Sequence, residues 1–154
     1  MQISQHFSLH EFTRSNTATR MDIDNFPSNT VIENLEILAL DFLEPIRKEL
    51  DSPIIITSGY RSPVLNRTIG GSKTSSHMYG EAVDFGVIGM TPLTVCKRIR
   101  DMGLNYDQLI HEFGKWVHLG IGERRRKEDL TAYRHEGKTI YVSGIHAIED
   151  ILHA

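Results

Sequence analysis

The stretch Tyr106–Gly122, YDQLIHEFGKWVHLGIG, holds two apolar-rich runs on either side of Gly114-Lys115. Tyr106–Phe113 and Trp116–Gly122 therefore read as the two arms of a β-hairpin turning at Gly114-Lys115. Working outward, Glu81–Val87 alternates and predicts a strand, and the β-branched run Pro53-Ile-Ile-Ile-Thr57 before Ser58-Gly59 predicts a buried one. Thr139–Val142 is a further strand candidate beyond the basic run Arg124–Lys127. Thr30 to Leu50 predicts the longest helix, because Val31, Leu35, Leu38, Ala39, Phe42, Leu43 and Ile46 form one apolar stripe. Thr30 and Glu33 fit a capping box there, and Pro45 is expected to loosen the last turns. Thr91-Pro92 opens a second helix that runs to Met102 and stops at Gly103. Residues 61–76 are rich in Gly, Ser and Pro and predict a long loop. Residues 1–29 predict an extended arm with short helical turns, anchored by Phe7, Leu9, Phe12, Ile23 and Phe26. Helices and strands mix without a βαβ rhythm. The expectation is one α+β domain over 1–154, a small antiparallel sheet flanked by helices.

Composition narrows the class. The 154 residues carry 17 Lys+Arg against 20 Asp+Glu, a formal charge of −3, which argues against a dedicated nucleic-acid binder. One cysteine, Cys96, excludes an internal disulfide framework and fits the apolar face of the second helix with Val95 and Ile99. No apolar run is long enough to span a membrane, and MQISQHFSLHEF lacks the pattern of a signal peptide. Gly70-Gly-Ser-Lys-Thr74 fails the phosphate-loop spacing, and no Gly-x-Ser-x-Gly elbow is present. Eight histidines are a generous number, and their placement carries the chemistry.

His77 ends the flexible loop, Gly80 lets the chain turn into a strand, and Ala82, Asp84 and Gly86 share one face of that strand. His118 lies in Trp116-Val-His-Leu on another strand. Two imidazoles and a carboxylate make a three-ligand zinc set that leaves a fourth position for water. Asp84 as a turn or ion-pair residue, and His118 as a satisfied core histidine, are the plainer readings of the same spacing.

The wider text resembles the zinc D-Ala-D-Ala carboxypeptidase family, in particular its phage-endolysin-like and murein-endopeptidase branch. The resemblance runs from HFSLHEFTRSNTATR and Asp24-Asn25-Phe26-Pro27 through Pro45-Ile-Arg47, SGYRSP at 58–63 and Ser-x-His-x-x-Gly-x-Ala-x-Asp at 75–84. It continues through Asp107-Gln-Leu-Ile110 to Trp116-Val-His118. It implies the fold shared with vancomycin-resistance dipeptidases and the hedgehog signalling domain. It also implies a zinc peptidase acting on peptidoglycan peptides, with one zinc per chain held by His77, Asp84 and His118. Arg61 then corresponds to an arginine facing the substrate or the developing oxyanion, its plainer role being to tie down the loop. Ser75 stands where relatives offer a hydroxyl to substrate, and Gln108 reads as a supporting residue.

One position departs from the pattern. The dipeptidase relatives carry a glutamate general base three residues before the last histidine ligand, and Lys115 stands there in this chain. Glu112 is the nearest acid and His111 is beside it, so both are candidates for the base. A two-residue turn at Gly114-Lys115 would pair His111 with His118, and a three-residue loop 114–116 would pair Glu112 with His118. Glu112 is preferred because a carboxylate suits the proton transfer. The alternative function is a metal-containing cell-wall-binding or structural module without turnover. A monomer is expected, made in the cytoplasm and acting on the wall after release, with a membrane-breaching partner such as a holin. A wall hydrolase carried on a virion is a variant of this setting.

Overall fold

The computed structural model describes residues 1–154. Six strands form one sheet in the order β1-β2-β4-β3-β5-β6: β1 Ile54–Ser58, β2 Ala82–Val87, β3 Gln108–Glu112, β4 Trp116–Gly120, β5 Glu128–His135 and β6 Lys138–Ser143. All neighbours pair antiparallel except β3 and β5, which run parallel, so the α+β expectation holds while the sheet is mixed. Strand β5 was not anticipated. Its sequence EDLTAYRH is largely polar, and only Thr131 and Ala132 are fully buried, so it lacks the apolar run that marks a strand. Strand β6 contains the expected Thr139–Val142, and Glu136 and Gly137, both at positive φ, turn the chain between β5 and β6.

The helical stretch spans residues 29–50, as its apolar stripe predicts, but it starts and bends differently. Ser28, not Thr30, caps it: the Ser28 hydroxyl accepts from the Val31 N–H at 3.3 Å. Helix α3, Asn29–Ile37, widens into π-helical turns over Leu38–Leu43 before α4, Glu44–Leu50. Pro45 lies just beyond the widened turns, so the distortion falls before it rather than in the last turns. Proline lacks an N–H and its ring crowds the carbonyl four residues earlier, and a wider turn removes that clash. The segment 61–76 is not one loop. Ser62 caps helix α5, Pro63–Thr68, accepting from the Leu65 N–H at 3.2 Å, and Ser76–Tyr79 forms a 3₁₀ turn. The Ser62-Pro63 pair was itself an N-cap signal. Helix α6, Pro92–Asp101, starts after Thr91 as expected, and Gly103 at φ +75° follows its end.

The arm holds two short helices, α1 Leu9–Thr13 and α2 Asn16–Arg20. Phe7, Leu9 and Phe12 are buried as anchors, Ile23 is half-buried, and Phe26 is exposed, contrary to expectation. A short last helix, α7, covers Ile148–Leu152. No helix is long and apolar enough to cross a membrane.

The core lies on one face of the sheet. Val83, Phe85 and Val87 of β2, Leu109 of β3, and Val117 and Leu119 of β4 join Leu35, Leu38, Phe42 and Ile46 of the long helical stretch and Val95, Cys96 and Ile99 of α6 in one cluster. Each such side chain removed from water contributes about 1.5–3 kcal/mol before entropy is counted. Burial drives the Cys96 thiol far up its titration range, in keeping with a packing role. The other face, over β3, β5 and β6, carries Ile110, Glu112, Leu130, Ala132 and Tyr141 and is left without a helix on it.

Two contacts tie outlying segments to this frame. The arm reaches the sheet at Gly59: Tyr60 N–H donates to the Phe12 carbonyl at 2.6 Å, and a Cβ added to Gly59 would lie 2.7 Å from Phe12 Cα. The chain crossing from β4 to β5 is held by Arg126, whose Nε and Nη2 donate to the Asp107 carboxylate at 2.8 and 3.0 Å. Gly59→Ala is expected to cost about 1–3 kcal/mol, as overpacking against backbone does, measured by urea unfolding. The hydrogen bonds from Arg126, with burial opposing, hold the Asp107 carboxyl below its ordinary value. Its contribution is therefore complete above the unfolded carboxylate value of about 3.9 and fades as pH falls through its lower folded value. The stability difference between the wild type and Asp107→Asn should accordingly be largest at neutral pH and shrink below about pH 4. A difference that stays constant to pH 2 would count against the Arg126 contact.

Candidate metal centre and cleft

The register of the central strands brings the three expected ligands together. Asp84 of β2 pairs with His118 of β4, and His118 pairs with Ile110 of β3, so all three side chains share one face. His77 comes from the 3₁₀ turn, whose first residue is preceded by Ser75 and which closes at Gly80, φ +70°. A Cβ on Gly80 would press within 2.8 Å of the Val31 carbonyl, so the turn that delivers His77 needs glycine for both conformation and space.

His77 Nδ1 lies 2.7 Å from the Gly59 carbonyl oxygen. A carbonyl can only accept, so Nδ1 carries the proton and Nε2 presents its lone pair inward. That Nε2 is 3.4 Å from Asp84 Oδ1, and His118 Nδ1 is 2.8 Å from the same oxygen. The rings of the two histidines meet edge to face with centroids 5.3 Å apart. One donor atom from each of His77, Asp84 and His118 lies within 4.8 Å of the others. Tetrahedral zinc with bonds of about 2.0–2.2 Å separates its ligand atoms by roughly 3.3 Å, so donor set and spacing fit that ion.

The electrostatics agree with a cation position. Burial alone would raise the Asp84 carboxyl, yet hydrogen bonds and positive charge from His118 and His77 hold it far below the ordinary range. Burial disfavours charge on His118, but the carboxylates of Asp84 and Glu112 reverse this and raise it.

Glu112 is the fourth polar group on this face. The hairpin turns at Phe113-Gly114, φ +59° and +69°, closed by Lys115 N–H donating to the Glu112 carbonyl at 2.9 Å. Glu112 therefore pairs with Trp116 and Ile110 with His118, a register that neither expected loop produces. The expected Gly114-Lys115 turn missed it because Phe113 adopts a positive φ that β-turns rarely give to an aromatic residue. The Phe113 ring packs on Trp116 at 5.5 Å and under Arg134 at 5.4 Å. Glu112 sits one pleat from His118 on the same face, with Oε1 3.6 Å from His118 Nδ1. Burial raises its carboxyl and Asp84 adds to this, against His118, the Trp116 indole N–H and Arg61. His111 faces the other way, buried, with Nδ1 2.9 Å from the His146 carbonyl, so the alternative base lies on the wrong side of the sheet.

Arg61 and Ser75 form one wall. Arg61 Nη2 donates to Ser75 Oγ at 3.0 Å, and that oxygen also accepts from the His77 N–H at 3.3 Å. Arg61 Nε is buried without a partner. Burial lowers the Arg61 guanidinium somewhat, while Asp84 and Glu112 favour its charge. Gln108 Nε2 donates to Glu128 Oε1 at 2.7 Å on the same face. Arg61, Ser75, Gln108 and Glu112 line one cleft of about 630 Å³ with His77, Asp84 and His118. The cleft also includes Arg124, Arg126 and Leu130, from the segment 122–138 that the sequence offers as a loop able to build a cleft wall, and Trp116 and Tyr141, to which the sequence gives no place in the site. Trp116 Nε1 is buried beside the Glu112 carboxylate and favours its charge, a contact visible only in three dimensions.

Comparison with known proteins adds two findings. A segment of the chain is 47% identical over 36 residues to a zinc D-Ala-D-Ala carboxypeptidase of Streptomyces albus G, covering 23% of this chain and 14% of that protein. The family model described as Peptidase M15 matches residues 5–120, a span that contains Arg61, Ser75, His77, Asp84, Glu112 and His118. With three quarters of its length inside that match, and His77, Asp84 and His118 converging in one cleft, the chain belongs to the peptidase M15 family.

Proposed function

We propose that this chain is a zinc-dependent peptidase that hydrolyses stem or cross-link peptides of peptidoglycan. The observation that carries the reading is Glu112: a half-buried carboxylate 3.6 Å from His118 Nδ1, on the face shared with the candidate ligands and open to the cleft. His77 Nε2, the Asp84 carboxylate and His118 Nδ1 would hold one zinc, with the Gly59 carbonyl orienting His77. When bound, zinc supplies Lewis-acid polarisation of a scissile carbonyl and a water acidified to near neutrality. Glu112 takes a proton from the attacking water and delivers it to the leaving amine, a role favoured by a carboxyl raised above its ordinary value. Arg61, held by Ser75 at the cleft wall, stabilises negative charge on the substrate, either a carboxylate or the carbonyl oxygen as it becomes tetrahedral. Ser75 keeps its own O–H free to donate to substrate, since both of its contacts use the oxygen as acceptor. The likeness to a carboxypeptidase named for D-Ala-D-Ala supports the choice of peptidoglycan. A metal-holding module without turnover would need neither Glu112 nor an open cleft. Reaching the wall after release calls for a partner that breaches the membrane, of the holin class, and the domain would act as a monomer.

Protein purified without added metal should contain close to one zinc per chain by elemental analysis, and His118→Ala should lose most of it. Trace zinc in the wild type, with His118→Ala unchanged, would remove the metal assignment. Digestion of purified murein, followed by mass spectrometry of the muropeptides, should show new amine ends that vanish with a chelator and return with zinc. Glu112→Gln should keep its zinc and lose on the order of 100-fold or more in rate. Arg61→Ala should also keep its zinc and turn over more slowly. Near-normal turnover by Glu112→Gln would reassign the base.

A further inference from the structure

The cleft extends beyond the family match. Residues 5–120 supply Arg61, Ser75 and the three candidate ligands, but the opposite wall is built by β5 and β6, which lie wholly outside that span. The register shows how. Glu112 pairs with Ala132 of β5, and Ala132 pairs with Tyr141 of β6, so the three stand in one row across the sheet on the cleft face. Two strand spacings, about 9.5 Å, separate the backbones of Glu112 and Tyr141. The residue between them is Ala132, fully covered by its neighbours, so Glu112 and Tyr141 rather than Ala132 line the cleft along this row. In the next row Ile110 pairs with Leu130, giving the cleft an apolar floor between the metal centre and Tyr141. Tyr141 is 55% exposed and lines the same cleft as His77, Asp84 and His118. Burial raises the Tyr141 phenol, and the charges of Glu112 and Asp84 add to this.

Direction follows from chemistry. Glu112 hands its proton to the leaving amine in the function proposed above, so the side of the cleft that Glu112 faces is the amine side of the scissile bond. Arg61 and Ser75 lie on the opposite side, toward β1 and the 3₁₀ turn. Resting on that reading, we infer that Tyr141, with Leu130 and Ile110, forms a subsite for the residues following the scissile bond. It takes an extended peptide with aliphatic side-chain surface, the tyrosine ring serving as its wall. The enzyme is then built for an internal bond, with substrate on both sides of the centre.

The test uses the zinc-loaded full chain and two murein peptides. One continues at least two residues past the bond that the wild type cuts, and the other stops one residue past it. The wild type should prefer the longer peptide in kcat/KM. Tyr141→Ala should reduce that preference by on the order of ten-fold, mainly through KM. Tyr141→Phe, which keeps the ring, should retain it, and zinc content should not change in either variant. A general defect in folding would slow both peptides alike and leave the ratio intact. An unchanged ratio in Tyr141→Ala, with both peptides cleaved, overturns the subsite and leaves the peptidase standing. A loss in Tyr141→Phe as large as in Tyr141→Ala overturns the ring as the contact. If the wild type cuts neither peptide nor murein, the peptidase reading falls and the subsite falls with it.

Discussion

The site depends on one backbone carbonyl. Gly59 C=O accepts from His77 Nδ1 at 2.7 Å and so decides which nitrogen of that ring can face inward. The carbonyl has no freedom to move, because Phe12 packs directly over Gly59 and leaves no room for a side chain. The arm at the start of the chain thus acts on the metal centre without touching it. Phe7 and Phe12, with ring centroids 6.1 Å apart, hold the arm in the core, and the hydrogen bond from Tyr60 N–H to the Phe12 carbonyl holds the strand end against the arm. Geometry at a ligand atom is in this way inherited from apolar packing more than 60 residues away in the sequence.

The remaining groups are placed by strand periodicity. Alternation puts Asp84, Ile110, Glu112 and His118 on one face and Phe85, Leu109, Val117 and Leu119 on the other. The helices cover the second face and the first stays open. One sheet therefore supplies both a dry core and a wet cleft, and Asp84 and Glu112 keep buried charge only because the histidines and Arg61 stand beside them.

Much of this was legible in the sequence, for reasons that also explain the gaps. His77, Asp84 and His118 lie in segments whose local signals are strong: a glycine after a turn, and alternating strands. Their convergence needs only that β2 and β4 pair. The long helix showed in its stripe, but its first residue did not, since Ser28 and Thr30 offer equivalent caps and only tertiary context chooses. Glu112 was preferred as base on chemical grounds, while the register behind it was wrong, because no local rule assigns Phe113 a positive φ. Strand β5 was invisible for a different reason. Its stabilisation comes from pairing on both edges, by β3 and β6, rather than from burying an apolar face. The segment 122–138 is legible only as a loop able to wall the cleft, and without β5 nothing joins Tyr141 of the last strand to that wall.

The parallel pairing of β5 with β3 has a kinetic side. The β5–β6 hairpin closes locally through Glu136 and Gly137, a step of microseconds for hairpins in general. Its docking takes the chain from β4 back across β3, a crossing that Asp107 and Arg126 fasten. The residues that this docking joins, such as Ile110 and Leu130, are nearer in sequence than Asp84 and His118, which join β2 to β4. Loop closure therefore weighs more on the pair that carries the ligands than on the outer hairpin, and the long connection between Asp84 and His118 is the topological cost of building the metal centre from two strands.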